Sequence, residues 1–140
     1  MHRILGLDMG QRRIGVALSD PLGLTAQRLA VLECRDPAHD LEAIATLAAD
    51  HQVEAIVVGL PLTMRGAVGT QATQIMAFVE QLRAKVSCPV HTMDERLTTA
   101  QGQRALLETD TSRRKRKGLI DQVAAQLILQ AYLDTHASRS

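Results

Sequence analysis

Three acidic positions occur where a carboxylate is unexpected, and together they suggest metal chemistry. Asp8 ends the apolar run 4–7, which is typical of a buried strand, where an ionised carboxylate is costly unless a cation, an arginine or backbone N–H groups compensate it. Asp121 falls on the apolar side of a helical pattern, and Asp94 and Glu95 lie at the carboxyl end of a short predicted strand, 89–93. Carboxylates gathered together repel, and Mg²⁺ or Mn²⁺ relieves that repulsion. The sequence therefore predicts a divalent-metal site containing Asp8, Asp121 and either Asp94 or Glu95.

Basic residues near these acids extend the prediction to phosphate chemistry. Two hard cations roughly 3.5–4 Å apart can activate a water and stabilise the leaving oxygen of a phosphodiester. The cations expected to bind flanking phosphates are Arg12, Arg13, Arg96 and the run Arg113, Arg114, Lys115, Arg116 and Lys117. Arg96 has the alternative of pairing with Asp94, and the basic run that of a solvated loop.

The last helical pattern gives Asp121 two interpretations. Its polar stripe, expected to face solvent, consists of Gln122, Gln126, Gln130 and Asp134. Asp121 lies on the opposite side, with Ala124, Ala125, Ile128 and Tyr132. It can point towards a sheet as a ligand, or it can cap the helix and complement its dipole.

Composition limits the class of protein. The 140 residues are 46% hydrophobic and 22% charged, which favours one globular domain over 1–140. Phe78 and Tyr132 are the only aromatic residues, so a stacking platform for single-stranded bases is not expected. Cys34 and Cys88 have no metal-binding or redox spacing. Without a predicted signal peptide or membrane span, we expect a cytoplasmic protein with reduced thiols and no membrane partner.

Periodicity and turn residues predict an α/β fold. We expect strands at 3–8, 13–19, 25–33, 54–59 and 89–93, and helices from Asp36 to about 48, at 70–86, 98–109 and 118–134, with loops at 60–69 and 113–117. Asp20-Pro21-Leu22-Gly23 predicts a turn, and Asp36-Pro37 predicts the cap and first turn of the first helix. Three antiparallel strands followed by β-α-β units imply a mixed sheet flanked by helices. In such sheets ligands bind beyond the carboxyl ends of the strands, where Asp8, Gly59 and Asp94-Glu95 fall.

Four motifs in order resemble one family. They are Gly6-Leu7-Asp8-Met9-Gly10 with Gly15-Val16-Ala17, then Val58-Gly59-Leu60-Pro61-Leu62, Asp94-Glu95-Arg96-Leu97-Thr98-Thr99, and the segment 121–130 beginning Asp121-Gln122. This pattern is similar to the YqgF family and covers the chain from Met1 to about Leu133. The resemblance implies a ribonuclease H-like fold with a five-stranded sheet in the order 3-2-1-4-5. It also implies a metal-dependent nuclease that matures the 16S rRNA precursor, or alternatively a Holliday junction resolvase.

The resemblance assigns roles to particular positions. It makes Asp8, Glu95 and Asp121 the catalytic, metal-binding residues, choosing Glu95 over Asp94, with two Mg²⁺ or Mn²⁺ ions expected when substrate is bound. Where the family commonly has Asn-Met-Asp-Gly, this chain has Thr63-Met64-Arg65-Gly66. We therefore expect Arg65 to contact substrate rather than metal. Thr98 and Thr99 are expected to cap the following helix, with contact to phosphate as the alternative.

Other functions remain open at this level. Nucleotide-binding proteins of the actin, sugar-kinase and Hsp70 type share the opening motif, but they need a second similar domain to close on the nucleotide. A nucleic-acid or ribosome-associated binding module without catalysis is the other alternative. RNA is the favoured partner. A junction resolvase would act on structured DNA as a homodimer, because two symmetric cuts need two sites.

Overall fold

The computed structural model describes residues 3–63, 65–97 and 113–137, with the side chains at 97, 113–121 and 136–137 left out of the description. Its strands are β1 (Ile4–Met9), β2 (Arg13–Ser19), β3 (Ala26–Glu33), β4 (Ala55–Leu60) and β5 (Val90–Asp94). Its helices are α1 (Pro37–Asp50), α2 (Thr70–Lys85) and α3 (Arg113–Ala137), with a 3₁₀ turn at Glu95–Leu97.

The five strands form one mixed sheet in the order β3-β2-β1-β4-β5. The first three strands pair antiparallel, whereas β1 with β4 and β4 with β5 pair in parallel. The predicted strand order and pairing are therefore confirmed. Parallel neighbours bring the carboxyl ends of β1, β4 and β5 to one edge of the sheet, as a ligand site in this type of fold requires.

Helices cover both faces of the sheet, and each face has its own core. The α1 and α2 side buries aliphatic residues that include Leu5, Leu7, Ile44, Ile56 and Val79. The α3 side buries Ala17, Ala26, Val57, Met93, Ala124, Ala125, Ile128, Leu129, Tyr132 and Leu133. Because β1 and β4 are covered on both faces, they lack the polar alternation of a surface strand.

Short polar signals begin and connect these elements as predicted. The Asp36 carboxylate accepts from the His39 N–H at 2.8 Å, and Pro37 follows in the first turn of α1. Between β2 and β3, Asp20 accepts from the N–H groups of Leu24 and Thr25. These hydrogen bonds, chiefly the one from Thr25, lower the pKa of Asp20 below its usual value. The chain reversal between these strands is thus organised by a single carboxylate.

The predicted loop at 113–117 is wrong, because α3 begins at Arg113 and includes the basic run. Cations near a helix N-terminus oppose its dipole, but arginine and lysine are good helix formers, and here propensity prevails. The predicted helix at 98–109, with Thr98 and Thr99, lies outside the described residues. None of the helices in the described ranges has the length and apolar character needed to cross a membrane.

The polar stripe of α3 is not simply solvent-facing as predicted. Gln126 donates to the Ala26 carbonyl at 3.0 Å, and Gln130 accepts from the Ala26 N–H at 2.9 Å. These two side chains bind the backbone at the start of the edge strand β3, as a neighbouring strand would. Gln130 also donates to the Leu24 carbonyl at 3.0 Å, so α3 is attached to the turn before β3 as well.

Candidate active site

Asp8 lies near the end of the central strand and is 3% exposed. Side chains alternate across a strand, so Asp8 lies on the same face as Gly6. A Cβ at Gly6 would point at Leu129 of α3, at 2.7 Å from its Cβ. The Asp8 carboxylate is therefore on the α3 face, while Leu7 contributes to the core on the other face.

Gly59 separates Asp8 from Glu95. Leu7 pairs with Val58 across β1 and β4, so Asp8 and Gly59 are the next residues along these strands. A Cβ at Gly59 would lie 3.2 Å from Cγ of Glu95 and 2.5 Å from Cδ1 of Ile128. The glycine thus leaves the space that the Glu95 side chain occupies, on the same α3 face as Asp8.

Two carboxylates are consequently enclosed on either side of one glycine. Glu95 is 2% exposed, and Oε1 of Glu95 and Oδ2 of Asp8 are both buried oxygens. Within the described side chains, no group of three or more His, Cys, Asp or Glu residues gathers as a metal site. The structure therefore brings two of the three predicted acids to one place.

For Asp121 only the position along α3 is described, not the side chain. The Tyr132 ring stacks on the His91 ring at 5.9 Å, at the level of Val57, whereas Ile128 lies over Gly59. Towards its N-terminus, α3 therefore runs to the strand ends that carry Asp8 and Glu95. Asp121 comes seven residues before Ile128, and positions seven apart share a helix face.

Asp94 and Arg96, on either side of Glu95, bind each other. Nε of Arg96 lies 3.1 and 3.0 Å from the two oxygens of Asp94, and Nη2 lies 2.7 Å from Oδ2. Hydrogen bonding from the guanidinium lowers the pKa of Asp94 and raises that of Arg96. Because the folded pKa of Asp94 is depressed, the pair stabilises the fold above the carboxyl's unfolded pKa, and this contribution is lost as pH falls through the folded value.

The predicted loop after β4 is an organised turn. The Gly66 N–H donates to the Thr63 carbonyl at 2.8 Å, and the Thr63 N–H donates to the Ala67 carbonyl at 3.0 Å. Gly66 has a φ of +81°, and a Cβ there would lie 3.1 Å from Nη1 of Arg96. The Arg96 guanidinium therefore packs against this turn, and the neighbouring Arg65 is exposed.

The other predicted phosphate contacts are distributed around this edge. Arg13 donates through Nε to Glu33 at 3.2 Å, and Arg12 is exposed in the β1–β2 turn. The basic run forms the first turns of α3, the end of the helix that approaches the carboxyl ends of the strands. Sequence reasoning did not single out the role of Gly59. The sequence does carry an indication of this role. In Val58-Gly59-Leu60-Pro61 the glycine stands inside an apolar strand pattern rather than in a turn, and a glycine there indicates that another element packs closely against the strand.

Adding one methyl group at Gly59 tests this packing. Gly59→Ala is expected to lower the free energy of unfolding by about 1–3 kcal/mol, because the new Cβ overlaps Ile128 Cδ1 and crowds Glu95. Urea denaturation measures the change. Ile128→Val removes the overlapping carbon, so the double variant should recover part of the loss. Gly69→Ala is the control, since its Cβ would meet Thr63 at an ordinary 3.9 Å. An equal loss in both glycine variants would refute the close approach.

Comparison with known proteins decides the family. The family model described as "RuvX: Holliday junction resolvase" matches residues 2–135. This chain belongs to the RuvX family. The resemblance to YqgF proteins is thereby confirmed, and the four motifs from Gly6 to Gln130 lie within the matched range.

Sequence similarity to other proteins covers nearly the full length of this RuvX-family chain. A Moorella thermoacetica protein named "Putative pre-16S rRNA nuclease" is 55% identical over 132 residues, covering 94% of each chain. A Halothermothrix orenii protein of the same name is 49% identical, again covering 94% of each. Among solved structures, Thermus thermophilus RuvC in complex with a Holliday junction has a TM-score of 0.62, 14% identity and 97% coverage of each chain. That likeness confirms the ribonuclease H-like fold.

Proposed function

We propose that this protein is a metal-dependent nuclease that hydrolyses phosphodiester bonds in maturation of the 16S rRNA precursor. The observation that carries the proposal is the pair of buried carboxylates, Asp8 and Glu95, on either side of Gly59. Burying two acids together at the carboxyl ends of central strands costs stability, so it indicates a functional demand. Membership of a family of nucleases supplies the reaction class.

The donor set fits a hard divalent cation. Carboxylate oxygens are the ligands that Mg²⁺ and Mn²⁺ prefer, and the enclosed pair of Asp8 and Glu95 provides such oxygens. We assign Asp8, Glu95 and Asp121 as the residues that hold the metal, with two ions when substrate is bound. The bound metal would supply an activated water and charge stabilisation at the leaving oxygen. The protein's own contribution is to hold the carboxylates rigidly between the sheet and α3.

Cations at the same edge of the sheet would hold the substrate. We assign phosphate contacts to Arg12, Arg13, Arg65 and the run Arg113, Arg114, Lys115, Arg116 and Lys117. Contacts of this kind position a nucleic acid without reading its sequence. With Phe78 and Tyr132 as the only aromatic residues, the protein would select its substrate by shape and phosphate spacing rather than by stacking on bases.

RNA is favoured as the substrate because relatives 45–55% identical to this chain carry the name of a pre-16S rRNA nuclease. Ribosomal RNA maturation would place the protein in the cytoplasm. The second candidate is resolution of four-way DNA junctions, which the family description favours. That activity would require a homodimer, since each of two symmetric cuts needs its own site.

Cleavage of two labelled substrates tests the proposal. One is an RNA spanning an end of the small-subunit rRNA precursor, and the other is a synthetic four-way DNA junction, each incubated with Mg²⁺, Mn²⁺ or EDTA. Metal-dependent cleavage of the RNA is expected, with loss of activity in Glu95→Gln. Glu80→Gln is the matched control, because Glu80 is exposed on α2. Paired symmetric nicks in the junction alone would favour the resolvase. Binding of both substrates without cleavage would indicate a non-catalytic binding module.

A further inference from the structure

The side chains of the three consecutive residues Asp94, Glu95 and Arg96 lie on two different sides of the chain. Glu95 is 2% exposed and lies over Gly59, whereas Asp94 and Arg96 bind each other on the outer side. The Asp94 carboxylate also accepts from the Arg96 backbone N–H at 2.9 Å. The backbone on both sides of Glu95 is therefore held by one side-chain pair.

The same pair reaches the turn after β4. Leu60 and Asp94 are register partners at the ends of β4 and β5, so the turn leaves the sheet beside Asp94. A Cβ at Gly66 would lie 3.1, 3.3 and 3.5 Å from Nη1, Nη2 and Cζ of Arg96. The outer end of the guanidinium thus covers the glycine. The positive φ of Gly66 and this contact both favour a residue without a side chain.

We propose that Asp94, Arg96 and Gly66 form a clamp that orients Glu95 and holds Arg65 beside it, so that Arg96 is a positioning residue rather than a phosphate ligand. Arginine suits this role, because its planar fork binds a carboxylate through two nitrogens while one face remains free to pack. The inference deepens the proposed nuclease function and rests on it for the role of Glu95.

The clamp also suggests what the arginine at position 65, where the family commonly has an aspartate, does in this chain. Arg65 directly precedes Gly66 and is exposed, whereas the Arg96 guanidinium is engaged by Asp94. The turn would therefore present the exposed guanidinium of Arg65 to a phosphate next to Glu95. In this arrangement Arg65 contacts the substrate, and Arg96 fixes the position of the turn that carries Arg65.

Limited trypsin digestion tests the clamp without any substrate. The Arg65–Gly66 bond is a trypsin site inside the held turn, and its cleavage can be followed by mass spectrometry. We expect Asp94→Asn, Arg96→Gln and Gly66→Ala each to accelerate cleavage of that bond, by roughly tenfold, because cleavage requires local opening of the turn. Glu80→Gln and Gly69→Ala are controls expected to leave the rate unchanged. Parental cleavage rates in all three clamp variants would overturn the inference.

Metal affinity tests whether the clamp orients Glu95. Calorimetric titration with Mn²⁺ is expected to show affinity about 10–100-fold weaker in Asp94→Asn, the usual effect of losing an outer-shell partner. Unchanged affinity there would overturn the positioning of Glu95. A different result would overturn the proposed nuclease function and leave the clamp intact. In that result the parent protein binds Mn²⁺ and resists trypsin at Arg65–Gly66, but cleaves neither nucleic-acid substrate.

Kinetics separate positioning from phosphate binding. A misplaced catalytic group lowers kcat, and we expect a roughly 10- to 100-fold loss of kcat in both Arg96→Gln and Arg96→Lys, with KM raised no more than in Arg65→Gln, because Arg96 acts on substrate binding only through Arg65. Lysine retains the charge but not the fork, so near-parental activity in Arg96→Lys would overturn the clamp. A phosphate contact at Arg96 would also reduce the salt dependence of binding by about one ion in Arg96→Gln. In the clamp, Arg96 acts on phosphate only through Arg65, so we expect the double variant Arg65→Gln/Arg96→Gln to lose about one ion, the same as Arg65→Gln. A direct phosphate contact at Arg96 would make the loss in the double variant about two ions and would overturn the inference.

Discussion

Replacing Asp8 by asparagine is expected to reduce phosphodiester cleavage by at least about a hundredfold, because even outer-shell partners of a metal ligand are worth 10–100-fold. The substitution keeps the size of a side chain that is 3% exposed, so packing against α3 is retained. It removes the negative charge that would hold a cation at the carboxyl end of β1. Single-turnover cleavage of the precursor RNA in Mg²⁺ measures the loss.

The same substitution is expected to leave stability unchanged or to raise it. Asp8 and Glu95 are both buried beside Gly59, and removing one charge relieves desolvation and mutual repulsion in metal-free protein. A melting temperature in EDTA that is equal to or above the parent's would show that lost activity is not lost folding. Asp50→Asn is the control, because Asp50 is exposed at the end of α1. Full activity in Asp8→Asn would exclude Asp8 from the site.

Removing divalent metal is expected to abolish cleavage and to lower the melting temperature. A ligand that binds only the folded state stabilises it by about 2.7 kcal/mol at a concentration 100 times its Kd. Thermal unfolding in EDTA and in increasing Mg²⁺ or Mn²⁺ measures this shift independently of any nucleic acid. The shift should disappear in Asp8→Asn and in Glu95→Gln, and it should persist in Asp50→Asn.

Two results would contradict that prediction. An equal thermal shift in the parent and in Glu95→Gln would place the metal somewhere other than over Gly59. Cleavage that continues in EDTA would show that the two buried acids act without a metal, as a general acid and base. Asp121→Asn extends the test to the third acid, since it should remove the metal-dependent shift if α3 completes the ligand set.

The close approach of α3 to the sheet explains why the acids on either side of Gly59 are buried. Gly6 and Gly59 have no side chain, which lets Leu129 and Ile128 of α3 lie directly on β1 and β4. Larger residues would push the helix away and open the enclosed carboxylates to water. The two glycines therefore support both the core on this face and the dry surroundings that strengthen electrostatic interactions in the site.

Local patterns determined most of the fold. Continuous apolar runs identified β1 and β4 as strands buried on both faces, since a strand with one face in water shows polar alternation. Asp36 and Pro37 marked the start of α1, and Asp20 marked the turn before β3. These signals could be read from sequence because a cap, a turn or a buried strand depends on a few neighbouring residues.

Local patterns were less reliable where two effects opposed each other. The basic run at 113–117 carries both good helix propensity and charges that oppose the helix dipole, and only the structure shows that α3 begins there. Gln126 and Gln130 follow a polar periodicity, yet they bind the backbone of Ala26, which is about a hundred residues away in sequence. A pattern along one helix cannot show which distant backbone lies opposite.

By itself, the sequence determined which acids could matter and, through its motifs, the family, which in turn implied the order of the strands. Only the tertiary structure decided that Asp8 and Glu95 enclose Gly59, and that Asp94 and Arg96 hold each other over Gly66. The physical reason is that β4 lies between β1 and β5, so the neighbours of each carboxylate come from strands far apart in the chain. Which residues meet there depends on strand register and on how closely α3 packs.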